Sequence, residues 1–225
     1  MKAGLSMKID LHVHTSEISG CANVPGEEVV RLYAEAGYDG IVITNHFVSY
    51  YQTKFESKGK DFFAEYGKAF CLCEEAGKKY GLKVFCGYEL RFDQNENDYL
   101  VYGLDLETAA KEGANFFKMG AREFSAYAKE HGILFFQAHP FRNHMTVTNP
   151  NYLFGIEVRN GNPRHDSRND IAAAWANRFP HLKKIGGSDF HQREDLAISG
   201  IETKKNVETM EDLVEVLKSG EYRVI

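Results

Sequence analysis

Ile9-Asp10-Leu11-His12-Val13-His14-Thr15 is a short apolar run that ends in two histidines. The run Lys8–Val13 reads as a β-strand. Residues two apart on a strand point to the same face, so His12 and His14 can reach one ion. Taken alone, the pair is equally a couple of exposed strand histidines. What decides between the two is whether the rest of the chain repeats the pattern.

Further strand-like runs follow at Gly40–Thr44, Leu82–Cys86, Tyr99–Gly103, Ile133–Gln137, Gly155–Val158 and Lys184–Ile185, with a last short one at Tyr222–Ile225. Helical patterns lie between them. Pro25 favours the first turn of a helix. That helix places Val29, Leu32, Tyr33 and Ala36 on one face and stops at Gly37. Phe63, Tyr66, Phe70 and Cys73 mark a second helix. Phe124 and Tyr127 mark a third, which ends near Gly132. Ile171, Ala174 and Trp175 mark a fourth. Met210, Leu213, Val214 and Leu217 mark a fifth, which ends near Gly220. Arg91–Asp98 is polar and Asn-rich and reads as a loop or hairpin, and Asn160–Asn169 as a loop. About seven β/α alternations within one domain, residues 1–225, predict an α/β fold with a parallel sheet and helices outside it. An open doubly wound sheet and a closed barrel both satisfy this pattern. In either, the active site lies at the C-terminal ends of the strands.

Most of the runs end in potential metal ligands. The second ends at Asn45-His46 and the third at Gly87-Tyr88-Glu89. Later runs end at Ala138-His139-Pro140, Glu157-Val158-Arg159-Asn160 and Gly187-Ser188-Asp189-Phe190-His191. Each has an ordinary explanation on its own, as a hydrogen-bonded histidine or a salt-bridging carboxylate. Recurrence at nearly every strand end is poorly explained by chance. Mixed imidazole and carboxylate ligands suit Zn, Mn or Fe. So many ligands exceed the needs of one ion, and a carboxylate such as Glu89 can bridge two. Ions about 3.5–4 Å apart clamp the attacking and leaving oxygens of a phosphoryl group, and a bound ion supplies hydroxide at neutral pH. The cluster therefore points to hydrolysis of a phosphate ester.

The whole-chain properties narrow the class further. At 225 residues, with 43% hydrophobic and 26% charged residues, the composition is that of an ordinary globular domain. The net charge of -5 argues against a broad nucleic-acid surface, so nucleic acid is not the expected partner. Cys21, Cys71, Cys73 and Cys86 make no CxxC pair, which argues against a thiolate zinc site. Segment 1–6 has no apolar core of a secretory signal, and no run is long enough to span a bilayer. The expected location is the cytoplasm, without a membrane partner; oligomeric state is open.

As an ordered set, five segments resemble the motifs of the PHP (polymerase and histidinol phosphatase) superfamily. They are Ile9–Thr15, Ile43-Thr44-Asn45-His46, Gly87-Tyr88-Glu89, Ala138-His139-Pro140 and Gly187–His191. The stretch Arg159-Asn160-Gly161-Asn162 is similar to that of the small stand-alone members. The resemblance implies a distorted (β/α)7 barrel holding two to three divalent ions. It implies that His12, His14, Glu89 and Asp189 hold the first ion, and that His46 and His191 hold the second with a residue from the loop after His14. Glu89 and His139 would share the third. Family members often carry Asp or His in that loop. Here Glu17 is its only carboxylate, and the resemblance assigns it as the ligand. Asn45 stands where the family usually has Asp, and is expected to orient His46.

A phosphomonoester also needs cationic or amide donors, and the planar fork of arginine can grip two phosphate oxygens. Arg142 and Arg159 lie on the predicted rim, with Asn160 beside Arg159; Arg164 and Arg168 flank the next helix start and are weaker candidates, Arg168 the weakest. His144 and His165 sit in rim loops and could protonate a leaving group. His131 and His181 fall near the opposite rim and read as structural. The leading expectation is hydrolysis of a small phosphomonoester or short nucleotide, with His12, His14, Glu89, Asp189 and His191 at the centre of the chemistry. The alternatives are a nuclease acting on single-stranded nucleic acid, since PHP modules also occur in DNA polymerases, and a non-catalytic metal-binding module.

Overall fold

The computed structural model describes residues 6–225, so segment 1–6, read above for a secretory signal, lies almost entirely outside them. Strand β1 (Met7–Val13) leads through helix α1 (Gly26–Glu35) to β2 (Gly40–Ile43). A two-residue strand β3 (His46–Phe47) and helices α2 (Ser49–Glu56) and α3 (Phe62–Tyr80) precede β4 (Lys83–Arg91). Next come β5 (Asp98–Tyr102), α4 (Leu106–Phe116), α5 (Ala121–His131) and β6 (Leu134–Gln137). The chain continues with β7 (Gly155–Asn160), α6 (Asn169–Ala176) and β8 (Lys183–Gly187). It ends with β9 (Ile201–Thr203), α7 (Met210–Ser219) and β10 (Tyr222–Val224).

The strands form one sheet in the order β10-β9-β1-β2-β4-β5-β6-β7-β8, with β3 beside β4. Just beyond β8, Phe190 bridges back to Val13, and the His14 N–H donates to the Phe190 carbonyl at 2.9 Å. The sheet is thus a nearly closed, distorted barrel. Closure brings side chains from strands on different sides of the sheet into contact. Ile9, Leu11, Val42, Leu100, Phe136 and Ile185 meet in one buried cluster with Leu213 and Leu217 of α7. A second cluster packs α1 and α3 against β1 and β2, and a third packs α2 to α6 against β3 to β7.

Three features depart from a regular β/α alternation. Arg91–Asp98 is a tight hairpin connection, so β5 runs antiparallel to both β4 and β6. The N-terminal end of β5 therefore lies on the same rim as the C-terminal ends of its neighbours. Helices α2 and α4 were not evident from periodicity. Only Tyr51 of α2 is buried, and α4 buries Ala109, Gly113 and Phe116 behind an Asp105 N-cap. In α6 the inward face is Ala172 and Ala176, while Ile171, one of the residues that mark this helix in the sequence, is 45% exposed.

Gly155 sits where two strands and a ring crowd together. A Cβ there would lie 2.1 Å from the Lys183 carbonyl oxygen and 2.5 Å from Phe136 Cε1. Gly67, on α3, has open space around it. Gly155→Ala should lower stability by at least about 1–3 kcal/mol through overpacking. Gly67→Ala should raise it by about 0.5–1 kcal/mol through better helix propensity. Chemical denaturation of both variants checks the pair of signs.

Candidate metal centre

The C-terminal ends of the strands bring seven of the eight expected ligands into one buried cluster. His12 Nε2 lies 3.1 Å from His14 Nε2, 3.1 Å from Glu89 Oε1 and 3.4 Å from Asp189 Oδ1. His14 Nε2 lies 3.3 Å from Glu89 Oε2 and 3.6 Å from Asp189 Oδ1. His46 Nδ1 approaches Glu89 Oε2 at 2.7 Å, and His139 Nε2 approaches Glu89 Oε1 at 3.2 Å. His191 stacks on His14 with ring centroids 4.1 Å apart. Glu89 is the hub, reached from β1, β3 and the end of β6. Four overlapping sets each place their ligand atoms within 4.8 Å of one another: His12, His14 and Glu89; His12, His139 and Asp189; His14, His46 and His191; and His46, Glu89 and Asp98.

The backbone is bent to deliver these side chains. His139 and Asp189 have positive φ, 28° and 52°, a region that costs an L-residue energy and persists where surrounding bonds fix it. The His139 N–H donates to Glu157 Oε2 at 2.9 Å. Gly187 lets β8 approach β1, because a Cβ there would fall 2.3 Å from the Cβ of His12.

The partners of the ring nitrogens fix the tautomers. Glu157 and the Asp189 carbonyl can only accept, so His12 Nδ1 donates to Glu157 Oε1 at 3.0 Å and His191 Nδ1 donates to the Asp189 oxygen at 2.9 Å. His14 Nδ1 is paired with Ser19 Oγ at 3.0 Å. With Nδ1 engaged, the Nε2 lone pair is left for a cation, the arrangement that orients metal-binding histidines. Asn45 acts one step further away than expected. Its Oδ1 accepts from Thr15 N and Ser19 Oγ, so it holds the loop, and Ser19 in turn touches both His14 Nδ1 and the His46 N–H.

Charge on the cluster is mutually enforced. Burial alone would raise the Glu89 carboxyl, but the charges of His12 and His46 outweigh it and hold it well below its usual range. The same opposition holds Asp189 far below its usual range, through His12, Arg142 and His191. Burial favours neutral His12, yet Asp189, Glu157 and Glu89 raise it well above its ordinary value. His14 is pushed well below by burial and by neighbouring His191 and His46. Protons thus occupy part of the cluster, and cations entering it would displace them.

The donor set fits divalent ions. Glu89 Oε2 and His139 Nδ1 are buried without a hydrogen-bond partner among the described residues. Two Nε2 atoms 3.1 Å apart also face the same carboxylates. A cation would partner Glu89 Oε2 and separate the two Nε2 atoms, and an unpartnered buried polar atom costs about 1–3 kcal/mol.

The structure does not bring Glu17 into the cluster. Its Oε1 accepts from the Gly26 N–H at 2.8 Å, at the N-terminus of α1, where a negative charge meets the helix dipole. Two residues that sequence reasoning missed lie beside the cluster instead. Cys21 Sγ is 3.2 Å from His46 Nε2. Burial opposes ionisation there, but hydrogen bonds with His191 and His46 bring the Cys21 thiol down to about 6. Asp98 Oδ2 is 3.8 Å from His139 Nε2, and Asp98 is gripped by both Nε and Nη2 of Arg91 at 2.7 Å. The hairpin at Arg91–Asp98 was the signal for Asp98, because it turns the start of β5 onto the active rim.

The four predicted recognition residues divide. Arg142 Nη2 donates to Asp189 Oδ2 at 2.7 Å and to Asn160 Oδ1 at 2.9 Å. Asn160 Nδ2 donates to Glu157 Oε2 at 2.9 Å, so Asn160 is engaged by the cluster's own residues. Arg164 Nη2 donates to Asp195 Oδ2 at 2.7 Å, and that carboxylate also accepts from the His191 N–H. Arg159 is exposed and pairs with no carboxylate among the described residues. Arg168 donates to the Phe141 carbonyl and to Asn143, away from the ligands. His131 and His181 bond the Tyr127 and Pro150 carbonyls at the surface. His144 has positive φ on an exposed loop, whereas His165 feels the charges of Arg142 and Asp189.

No curated protein matches the sequence. Several solved structures share the fold. A two-domain protein of Bacteroides vulgatus containing a predicted PHP-like metal-dependent phosphoesterase superposes with TM-score 0.66 at 20% identity, over 98% of this chain and 65% of that one. PsfC of Pseudomonas syringae gives TM-score 0.64 at 18% identity, over 94% of this chain and 88% of its own. Endonuclease Q, in complex with a 27-mer duplex carrying an abasic lesion at its active site, gives 0.62 at 13%, over 96% of this chain and 57% of its own. The chain thus spans 65% of the first and 57% of the last. Residues 10–174 match the model of the PHP domain and residues 166–222 that of the PHP-associated region, so the chain belongs to the PHP family.

Proposed function

We propose that this protein hydrolyses a small phosphomonoester or short nucleotide using two to three divalent ions, Zn, Mn or Fe. His12, His14, His46, Glu89, His139, Asp189 and His191 would hold them. The observation that carries the reading is the convergence of His12 Nε2 and His14 Nε2 on Glu89 and Asp189, with Nδ1 of each ring engaged outside the cluster. Bound divalent ions would activate water and neutralise charge on a phosphoryl group. The chain's own groups do the rest. Glu157 holds the His12 ring, and Arg142 stands over Asp189. Arg142 Nη1 makes no protein hydrogen bond among the described residues, which leaves a donor for a phosphate oxygen.

The leaving group has room beside His46. A cavity of ≈ 340 Å³ there is lined by Tyr50, Tyr51, Arg91 and Asp93. A roomier cavity of ≈ 550 Å³ lies against Glu202, Lys204, Tyr222 and Arg223, and none of the candidate ligands lines it. Tyr50 is 67% exposed and offers a face on which a nucleobase can stack. The acidic net charge does not remove nucleic acid from consideration, because endonuclease Q takes duplex DNA on the same fold. No helix among the described residues is long and apolar enough to cross a membrane.

Turnover should vanish on chelation and in His14→Ala or Asp189→Ala, while far-ultraviolet circular dichroism stays native. Undiminished hydrolysis by metal-free protein would contradict the reading, and metal uptake without turnover of any phosphoester would point to a binding module. The assay is a panel of phosphoesters with each metal in turn, run beside a labelled single-stranded oligonucleotide. On that panel, Tyr50→Ala should raise KM for nucleotides by about 5–150-fold, the equivalent of about 1–3 kcal/mol of stacking. KM for a phosphoester without an aromatic leaving group should stay unchanged.

A further inference from the structure

We propose that Cys21 is a thiolate ligand in the corner of the site formed by His14, His46 and His191. The inference rests on the metal-centre reading above and concerns which of this chain's atoms complete it. Cys21 Sγ sits 3.2 Å from His46 Nε2, and the ligand atoms of His14, His46 and His191 lie within 4.8 Å of one another. His14 and His191 are buried, and the His46 side chain is 17% exposed. Glu89 meets two of the same histidines from the other side, reaching His46 at Nδ1 while Cys21 stands at its Nε2. Glu89 Oε2, on a residue 1% exposed, has no hydrogen-bond partner, although His46 Nδ1 and His14 Nε2 approach it at 2.7 and 3.3 Å.

The carboxylate expected in this loop, Glu17, is turned away to the start of α1, so it leaves the corner without a loop ligand. The loop holds Cys21 in its place. The Gly20 N–H donates to Tyr51 Oη at 2.9 Å, the Ala22 N–H donates to the Ser19 carbonyl at 2.8 Å, and the Asn23 N–H donates to the His191 carbonyl at 2.9 Å. Cys21 is exposed as a residue, so replacing it removes no core packing. A thiolate among imidazoles is a softer donor set than a carboxylate among imidazoles, so this corner should prefer Zn or Fe to Mn.

The test uses the full chain, stripped of metal and reloaded with Co(II) or Zn(II). The wild type should show a sulfur-to-cobalt charge-transfer band in the near-ultraviolet. Cys21→Ser and Cys21→Asp should lose the band, and Cys71→Ser, on the exposed face of α3, should keep it. Zinc should bind Cys21→Ser at least about tenfold more weakly at this corner. A measurement without any variant gives a second reading: zinc should slow alkylation of Cys21, followed by peptide mass, and leave the rate at Cys71 unchanged. Metal bound with no charge-transfer band and no protection of Cys21 would overturn the proposal and leave the metal centre standing. A chain that takes up no metal at all would overturn both.

Discussion

Glu89 carries its charge with 1% of its surface exposed, because four imidazoles stand within 3.3 Å of its two oxygens. An isolated buried carboxylate costs several kcal/mol after relaxation, so this one depends on every histidine around it. The dependence runs both ways. His12 and His46 are raised by Glu89, and Glu89 is lowered by them. Much of the rest of the fold serves to bring these groups together from strands that are distant in sequence.

Barrel closure is the means. Asp10 ties β1 to the end of β8: its Oδ1 accepts from the His12 and Ser188 N–H groups, and its Oδ2 accepts from the Tyr33 hydroxyl of α1. Burial raises the Asp10 carboxyl to about 6, against those hydrogen bonds. Tyr66 of α3 reaches the Asn45 and Gly87 carbonyls at 3.0 and 2.9 Å and so links the His46 and Glu89 strand ends. Glu157 spans the other side, touching His12, the His139 N–H and Asn160. The imidazoles are therefore oriented by a frame of hydrogen bonds made by the protein's own groups. Such a frame fixes the direction of each ring nitrogen toward the cluster.

Much of this was legible in the residues. The strand ends at His14, His46, Glu89, His139 and Asp189 mark the rim directly, because a side chain at the C-terminal end of a barrel strand has one place to go. The β3 and β9 strands were too short for periodicity to reveal, and α2 buries a single residue. Glu17 was read as the inward side chain of its loop, where Cys21 stands beside His46 instead. Loop composition favoured the carboxylate, but which side chain turns inward depends on tertiary bonds such as Gly26 to Glu17 and Asn23 to His191. Asp98 was hidden for a similar reason. Its place on the rim follows from the reversed direction of β5, which a hairpin reading permits but a parallel sheet does not. Arg142 and Arg159 look alike in sequence, yet one points over Asp189 and the other to solvent.

In the proposed centre the inward Nε2 atoms of His12 and His14 would share divalent ions with Glu89 and Asp189. Anomalous diffraction from crystals grown with Mn or Zn tests it most directly. Two to three anomalous peaks inside the cluster, one of them between His12, His14, Glu89 and Asp189, are the predicted result. An empty cluster in crystals that hold those ions elsewhere on the chain would contradict it.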